Sequence, residues 1–293
     1  MSAILITGSG GQLGNALAKY LANKNLNIIS TSYKSNRENT LLLDISKKSD
    51  VINILNKYEP DVIINCAAYT NVDANELKKD EAYKVNVQGV KYLIKYSKQS
   101  CYFIQISTDY VFDGKNGPYS ENDYTYPINY YGKTKLEAEN ILRGSRKRNL
   151  IIRINTLYSN NLLIKSNFFA WIYNSLIKGS TINVVNDQIS NPTEIKQLMK
   201  LILKCILVKY EGLLHCGSQD FISRYDFSLL VAKIFNFNES LIVPTNTQTL
   251  MDNNINYKAN RPIKSGLLTE KIEREFDFAI NTTEYNLSKF LIN

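Results

Sequence analysis

The stretch ILITGSGGQLG, residues 4–14, decides how the rest of the chain is read. It carries Gly8, Gly11 and Gly14 in the spacing G-x-x-G-x-x-G, directly after the apolar run Ala3–Thr7 and into the amphipathic pattern Gln12–Ala22. Glycine lets a backbone turn tightly and approach a pyrophosphate, and a helix N-terminus offers free N–H groups at the positive end of its dipole. Glycine spacing alone is a weak signal; a strand before it and a helix after it make it specific. It predicts a dinucleotide cradle built from Gly8, Gly11, Gln12, Leu13 and Gly14. The competing reading is a glycine turn with no ligand.

Outward from this loop, short apolar runs alternate with longer amphipathic ones. Asn27–Ser30, Leu41–Asp44, Val62–Cys66, Tyr102–Ser107 and Asn149–Ile154 read as further strands. Most are apolar almost throughout, as strands covered on both faces are. Between them Lys47–Tyr58, Lys79–Gln99 and about Tyr130–Leu142 read as helices, the last stopped by Gly144. The alternation predicts an α/β fold, a Rossmann-type doubly wound parallel sheet. After Ile154 the pattern loosens, although Phe168–Lys178 and Glu194–Val208 read as helices, Thr181–Val185 as a strand and Leu213–Cys216 as one more sheet strand. The expected organisation is a dinucleotide-binding domain of residues 1–156 plus about 190–218. A smaller, C-terminal substrate-binding domain takes about 157–189 and 219–293.

The 293 residues, 44% hydrophobic and 21% charged, suit a globular chain with a sizeable core. The net charge of +8 is scattered, with a short cluster only at Arg143–Arg148, so nucleic acid is not expected and an anionic small substrate accounts for it equally well. Four cysteines without metal spacing, no signal-peptide pattern and no apolar run of membrane length predict no metal, no membrane and a reducing, cytoplasmic setting. A single histidine, His215, makes a catalytic triad improbable and is read as structural.

At the second strand, NAD-preferring sites carry an acidic residue for the ribose 2′-hydroxyl. Here IISTSYKSNR, residues 28–37, has none and offers Ser32, Lys34 and Arg37 instead. Cations and hydroxyls favour a 2′-phosphate, so NADPH is expected over NADH; the alternative is that Lys34 and Arg37 are solvated loop charges. Asp44, in LLLDI, is placed to accept from the adenine amino group beside Ile45, or to cap the next helix, for which Ser46 is the better candidate.

The chemistry is expected from NYYGKTKLEAEN, residues 129–140. Tyr131 and Lys135 are four apart and share a helix face, whereas Tyr130 pairs with Thr134. Lys133 reads as a solvated charge. A unit charge at ~4 Å and an effective dielectric of ~20 is worth roughly 4 kcal/mol, about three pK units off the usual tyrosine value of about 10. Lys135, helped by an oxidised nicotinamide, is thus expected to bring Tyr131 toward neutrality, as a general acid for ketone reduction or a base in reverse. Thr108, in QISTDYVFDG at the carboxyl end of a buried strand, is placed to donate to the same carbonyl oxygen.

With these residues together, the chain resembles the extended short-chain dehydrogenase/reductases. More narrowly, GSGGQLG, NCAAYTNVD, KVNVQG, STDYVFDG, YYGKTKLEAE, NDQISNPT and RPIKSGLL, in family order, resemble the dTDP-4-dehydrorhamnose reductase family. The resemblance implies that Thr108, Tyr131 and Lys135 are catalytic. It also implies that Asn86 orders the catalytic helix, and that Ala67, Ala68 and Tyr69 line the nicotinamide side. Related dehydratases carry Thr-Asp-Glu; here Thr108-Asp109 is followed by Tyr110, which favours a reductase and leaves Asp109 and Thr70 for sugar hydroxyls. Family members have Arg-x-Ser-Trp where this chain reads Arg153-Ile154-Asn155-Thr156, so Asn155 joins the candidate substrate set without the tryptophan. A glycine common before the x-Pro-Thr turn is replaced in Ser190-Asn191-Pro192. Arg261, in the matched RP motif, either touches substrate or holds the small domain; Arg224 either meets a diphosphate or makes a surface ion pair. Trp171 is read as core packing ahead of a substrate contact.

The resemblance implies a reductase of the 4-keto group of a nucleotide-diphosphate deoxysugar in polysaccharide biosynthesis, with homodimerisation as the assembly to test. The competing readings are a non-catalytic dinucleotide-binding regulatory subunit like that of methionine adenosyltransferase, and a nucleotide-sugar epimerase.

Overall fold

A computed structural model describes residues 3–34, 39–164, 167–253 and 257–291. Seven strands form the central sheet: β1 (Ala3–Thr7), β2 (Asn27–Ser32), β3 (Leu41–Leu42), β4 (Val62–Asn65), β5 (Tyr102–Thr108), β6 (Asn149–Ile154) and β7 (Gly212–Cys216). They lie in the order β7-β6-β5-β4-β1-β2-β3, all parallel. The order reverses between β1 and β4, so their carboxyl ends flank the crevice where open sheets take ligands.

Alternate residues of each strand feed opposite layers. Ile4, Ile6, Ile64 and Ile152 face the helices Gln12–Ala22 and Ile195–Val208, with Leu17, Leu21, Leu198 and Ile202 packed on them. Leu5, Ile63, Phe103 and Ile151 face the opposite layer, where Val51, Leu55, Leu93 and Leu142 come from helices Lys48–Tyr58, Gly89–Tyr96 and Tyr130–Arg143. A third core, around Tyr158, Phe169, Phe227, Val231 and Leu287, joins the helices Phe168–Leu176, Arg224–Phe235 and Thr283–Ser288. Three strand pairs of two to four residues stitch that part together: Leu157–Tyr158 with Thr193–Glu194, Ile182–Val185 with Ile242–Thr245, and Ile189–Ser190 with Ile222–Ser223. The helix Arg224–Phe235 is started by a capping box between Ser223 and Asp226, a signal the loose pattern of this region hid.

Several elements differ from the sequence expectation. β3 stops at Leu42, because Leu43 and Ile45 turn into the core and Asp44 is occupied by Ser46. The N-cap of the following helix is Lys47, with no side-chain cap; Ser46 does not cap it. The helix expected over Lys79–Gln99 is α-helical to Tyr83, widens to a π turn over Lys84–Gln88, and is α-helical again from Gly89 to Tyr96. Such a turn inserts a residue and re-aims its neighbours, and here it buries Asn86. Trp171 is 42% exposed and stacks on Phe168; Phe169, not Trp171, enters the core.

Candidate active site

The crevice begins where β1 ends. Gly8 has φ +70°, a left-handed value, and a Cβ there would lie 2.7 Å from the backbone nitrogen of Ala67. A Cβ on Gly14 would lie 2.4 Å from the carbonyl oxygen of Gly8. The loop therefore presents backbone and no side chain, pressed against the segment after β4, which is the fit a dinucleotide phosphate requires. The helix Gln12–Ala22 opens on Gly11 with no side-chain cap and no acidic residue in its first turn, so neither competes with an anion for its dipole. Leu13 and Gly14 are buried, and Gln12 Nε2 of the side chain donates to Ser159 Oγ at 3.2 Å, so these three offer backbone to a phosphate.

At the other end of the crevice Ser32 is buried and its Oγ accepts from the Lys34 amide at 3.3 Å. Lys34 is exposed, its ammonium 5.2 Å from the Tyr33 ring centre. Arg37 lies outside the described residues. Asp44 Oδ1 accepts from both the amide (3.0 Å) and the hydroxyl (2.6 Å) of Ser46. Ile45 is buried in the core.

Thr108 is the last residue of β5. Its hydroxyl donates to Asp109 Oδ1 at 3.0 Å and accepts from the Tyr110 amide at 3.2 Å. The catalytic-candidate helix Tyr130–Arg143 starts on Asn129, whose Oδ1 caps the Gly132 amide at 2.8 Å. It reaches the strand end closely because Gly132 lacks a Cβ, which would meet the Tyr110 carbonyl oxygen at 2.1 Å. Tyr131 thereby stands edge-on to Tyr110, ring centres 5.8 Å apart. Lys135 is buried one turn on, its ammonium donating to the Ile106 carbonyl at 2.7 Å. Tyr130 is held on the outer side, its amide donating to Glu76 and its ring facing Lys79; Lys133 is exposed.

The protein's own groups shift both residues of the pair through burial. Burial, reinforced by the Asp109 charge, pushes Tyr131 above its usual range, with the Thr108 hydroxyl pulling the other way. Burial lowers Lys135 from 10.5 to about 8, opposed by Glu139 and then Cys66. Lys135 spends its ammonium on the Ile106 carbonyl, so desolvation outweighs the attraction assumed from the i, i+4 spacing. The outcome still suits reduction, because a proton donor must hold its proton. Burial pushes Cys66 up to about 12, which leaves it a thiol.

Two buried polar networks support this helix, and neither was read from the sequence. The first crosses the sheet rung by rung. Thr7 Oγ1 donates to Asn65 Oδ1 (2.5 Å), Asn65 Nδ2 to Gln105 Oε1 (2.8 Å), and Gln105 Nε2 to the Ile106 carbonyl (2.8 Å) that also receives Lys135. In the second, Glu139 is fully buried. Its Oε1 accepts from Ser107 Oγ (2.5 Å) and Arg153 Nε (3.0 Å), and its Oε2 from Arg153 Nη2 (2.7 Å) and Arg143 Nη2 (2.8 Å). Arg153 continues to His215 Nε2 at 3.4 Å, and His215 Nδ1 lies 3.2 Å from the Tyr119 carbonyl. Burial and the Arg153 cation hold His215 well below its usual value. The partners then dictate a neutral ring that donates from Nδ1 and accepts at Nε2. The signal for Glu139 was present as the i+4 neighbour of Lys135.

Asn86, on the π turn, ties the crevice to the helix: its Oδ1 accepts from the Tyr69 amide (2.7 Å) and its Nδ2 donates to Thr134 Oγ1 (3.0 Å). Ala67, Ala68 and Tyr69 follow β4 at its carboxyl end, and Thr70 beside them is exposed.

The opposite wall comes from far along the chain. Ser265 Oγ donates to Asp109 Oδ2 at 2.6 Å, and burial raises Asp109 to about 6 against the pull of Ser265 and Thr108. Arg261 pairs with Asp73 at 2.6 Å, donates to the Ala259 carbonyl and lies over the Tyr257 ring, so its geometry holds this segment to the helix Val72–Leu77. Arg224 donates to Gln188 Oε1 and covers the Phe168 ring; among the described residues it makes no ion pair. Asn155 donates through Nδ2 to Asn191 Oδ1, while its own Oδ1 is buried with no partner among the described residues. Asn191, fully buried, also donates to the carbonyls of Ser218 and Leu267 (2.9 and 2.8 Å) and accepts from the Leu267 amide (2.8 Å). Asn155, in one segment that departs from the resembled motifs, thus contacts Asn191, the neighbour of Ser190 in the other.

Residues 1–293 match the family model described as the RmlD substrate binding domain. A dTDP-4-dehydrorhamnose reductase of Aggregatibacter actinomycetemcomitans is 34% identical over 291 residues, 94% of each chain. Among solved structures, a dTDP-4-dehydrorhamnose reductase from Clostridium acetobutylicum superposes with a TM-score of 0.88 at 33% identity, covering 99% of this chain and 98% of that one. A dTDP-4-dehydrorhamnose reductase from Bacillus anthracis, in complex with NADP, gives a TM-score of 0.89 at 28% identity, with 100% and 99% covered.

Proposed function

The chain belongs to the dTDP-4-dehydrorhamnose reductase family, and from that premise we propose that it is an NADPH-dependent oxidoreductase that reduces the 4-keto group of a nucleotide-linked deoxysugar for polysaccharide biosynthesis. The observation that carries the reading is the meeting of Thr108 and Tyr131 at the carboxyl end of β5, beside the glycine cradle.

NADPH, when bound, supplies the hydride. The cradle of Gly8, Gly11 and Gly14 and the first amides of the helix from Gln12 would hold the pyrophosphate. Ser32 and Lys34 would favour the 2′-phosphate, and Asp44 would serve the adenine. Ala67, Ala68 and Tyr69, the last held by Asn86, would form the nicotinamide side. The ketone oxygen gains charge as it is reduced; Thr108 donates to it, and Tyr131 gives up its proton to it. Lys135 supports the phenolate left on Tyr131. Thr70, Asp109, Asn155 and Arg261 are the candidates to orient the sugar, with residues 1–156 plus about 190–218 carrying the dinucleotide and the rest closing over the sugar. A cytoplasmic homodimer is the proposed setting; among the described residues no helix is long and apolar enough to cross a membrane.

The test is a panel of nucleotide-diphosphate 4-keto sugars with NADPH and NADH, following loss of reduced-nicotinamide absorbance. Tyr131→Phe is expected to lower kcat about 10²–10⁴-fold with dinucleotide binding retained. Unchanged turnover in that variant removes the proton donor. Lys34→Ala is expected to narrow the NADPH preference by about tenfold, one lost charge–phosphate contact. Net epimerisation with tightly held NAD would point to an epimerase, and dinucleotide binding without turnover to a regulatory subunit.

A further inference from the structure

Tyr131, Lys135 and Glu139 form one stripe on the helix Tyr130–Arg143, each a turn apart. The Glu139 carboxylate is locked: every one of its four hydrogen bonds comes from a named donor, two of them from the Arg153 guanidinium on β6 and one from Ser107 on β5. Ser107 and Arg153 are paired in register across those strands. Ser107 lies directly between Ile106, whose carbonyl receives the Lys135 ammonium, and Thr108. The same carboxylate therefore bolts the helix to the strand at the residue that separates the lysine's anchor from the carbonyl-binding hydroxyl. The ionisable groups around the stripe are Cys66 from the end of β4, Asp109 and Tyr110 from the turn after β5 and Arg153 from β6. The helix itself adds Tyr131 and Arg143. Of these, Asp109 bears on Tyr131. Cys66 is a thiol, so Glu139 is the negative charge that faces Lys135.

We propose that Glu139 is a positioning residue for Lys135: it fixes the register of the catalytic helix on β5 and β6 and keeps the lysine a cation where Tyr131 needs one. Arg143 is the adjustable part of the device. It is half exposed and neutralises Glu139 from the solvent side, whereas Arg153 does so from within.

The experiment reads the Lys135 titration directly, by NMR of protein labelled at lysine Cε, with Lys135→Arg identifying the resonance. Glu139→Gln is expected to move the Lys135 midpoint down by about one pH unit and to lower kcat about 10–100-fold, with the sugar KM held within about threefold. The alkaline limb of kcat should move down with it. Arg143→Ala, at an exposed position, is expected to move the midpoint the other way; Glu139→Asp, which keeps the charge, should restore much of the shift. A role in folding alone would lower the melting temperature of Glu139→Gln and leave the midpoint in place. An unmoved midpoint in both Glu139→Gln and Arg143→Ala overturns the proposal; should Glu139→Gln fail to fold, Arg143→Ala decides alone. The kinetic arm rests on the reductase reading, but the NMR arm does not: a wild-type protein inactive on the sugar panel would remove that reading and leave the titration result standing.

Discussion

Two buried carboxylates flank the candidate catalytic pair, and the protein treats them in opposite ways. Glu139, beneath Lys135, is met by two guanidinium groups and a hydroxyl. Asp109, beside Tyr131, is met by the hydroxyls of Thr108 and Ser265, with no cation in hydrogen-bond contact. A buried carboxylate without a paired cation carries the cost of desolvation in its own proton affinity, and Asp109 rises to about 6. One pocket is a fixed ion pair that gives the helix its place. The other is a soft site that can change charge near neutral pH, next to the Thr108 hydroxyl proposed to bind the carbonyl.

The widest gap between the pockets should appear when a cation is removed. Arg153→Met leaves Glu139 buried with only Ser107 and the outer Arg143, and a loss of about 3–5 kcal/mol is expected in urea unfolding. A loss below about 1 kcal/mol would erase the distinction between the pockets. The next effect is smaller and depends on pH. Asp109 has a folded-state value above its unfolded 3.8, so its contribution to stability is full at acid pH and is lost as pH rises through about 6. Between pH 5 and pH 8 the wild type should lose about 1.4 kcal/mol from this group. Asp109→Asn should lack that slope, and parallel stability–pH curves for the two proteins would contradict it. The smallest effect is expected from Ser265→Ala, which removes one of the two hydroxyls on Asp109. It should cost about 1 kcal/mol and push Asp109 further up, sharpening the same slope.

What was legible in the sequence was what is local. The glycine loop sits within eleven residues between a strand and a helix, and Tyr131 and Lys135 are one turn apart, so spacing alone assembled them. Thr108 was found because strand ends are readable from apolar runs. Glu139 is equally close to Lys135, yet its meaning comes from Arg153 and Ser107, which reach it only through the β5–β6 register. Asn191 is a hub for Leu267, 76 residues on, and nothing in a one-dimensional pattern ties them. The π turn at Asn86 escaped because periodicity over a long amphipathic stretch tolerates one inserted residue. The upward push of burial on Tyr131 was not legible because spacing gives a distance to Lys135 but not the desolvation of either group.

The segment 260–267 ties itself to four distant points: Asn129 donates to the Asn260 carbonyl, Arg261 pairs with Asp73, Ser265 reaches Asp109, and Leu267 joins Asn191. All seven sheet strands are complete by Cys216. On a ribosome adding about 5–20 residues per second, the sheet and its glycine cradle are therefore made a few seconds before the piece proposed to finish the sugar side of the cleft. Until that segment emerges, Asp109 and Asp73 lack these partners and the nascent chain has its glycine crevice without the opposite wall. On the proposed assignment, the order of synthesis makes ability to hold the cofactor the earlier achievement and ability to orient a sugar the later one.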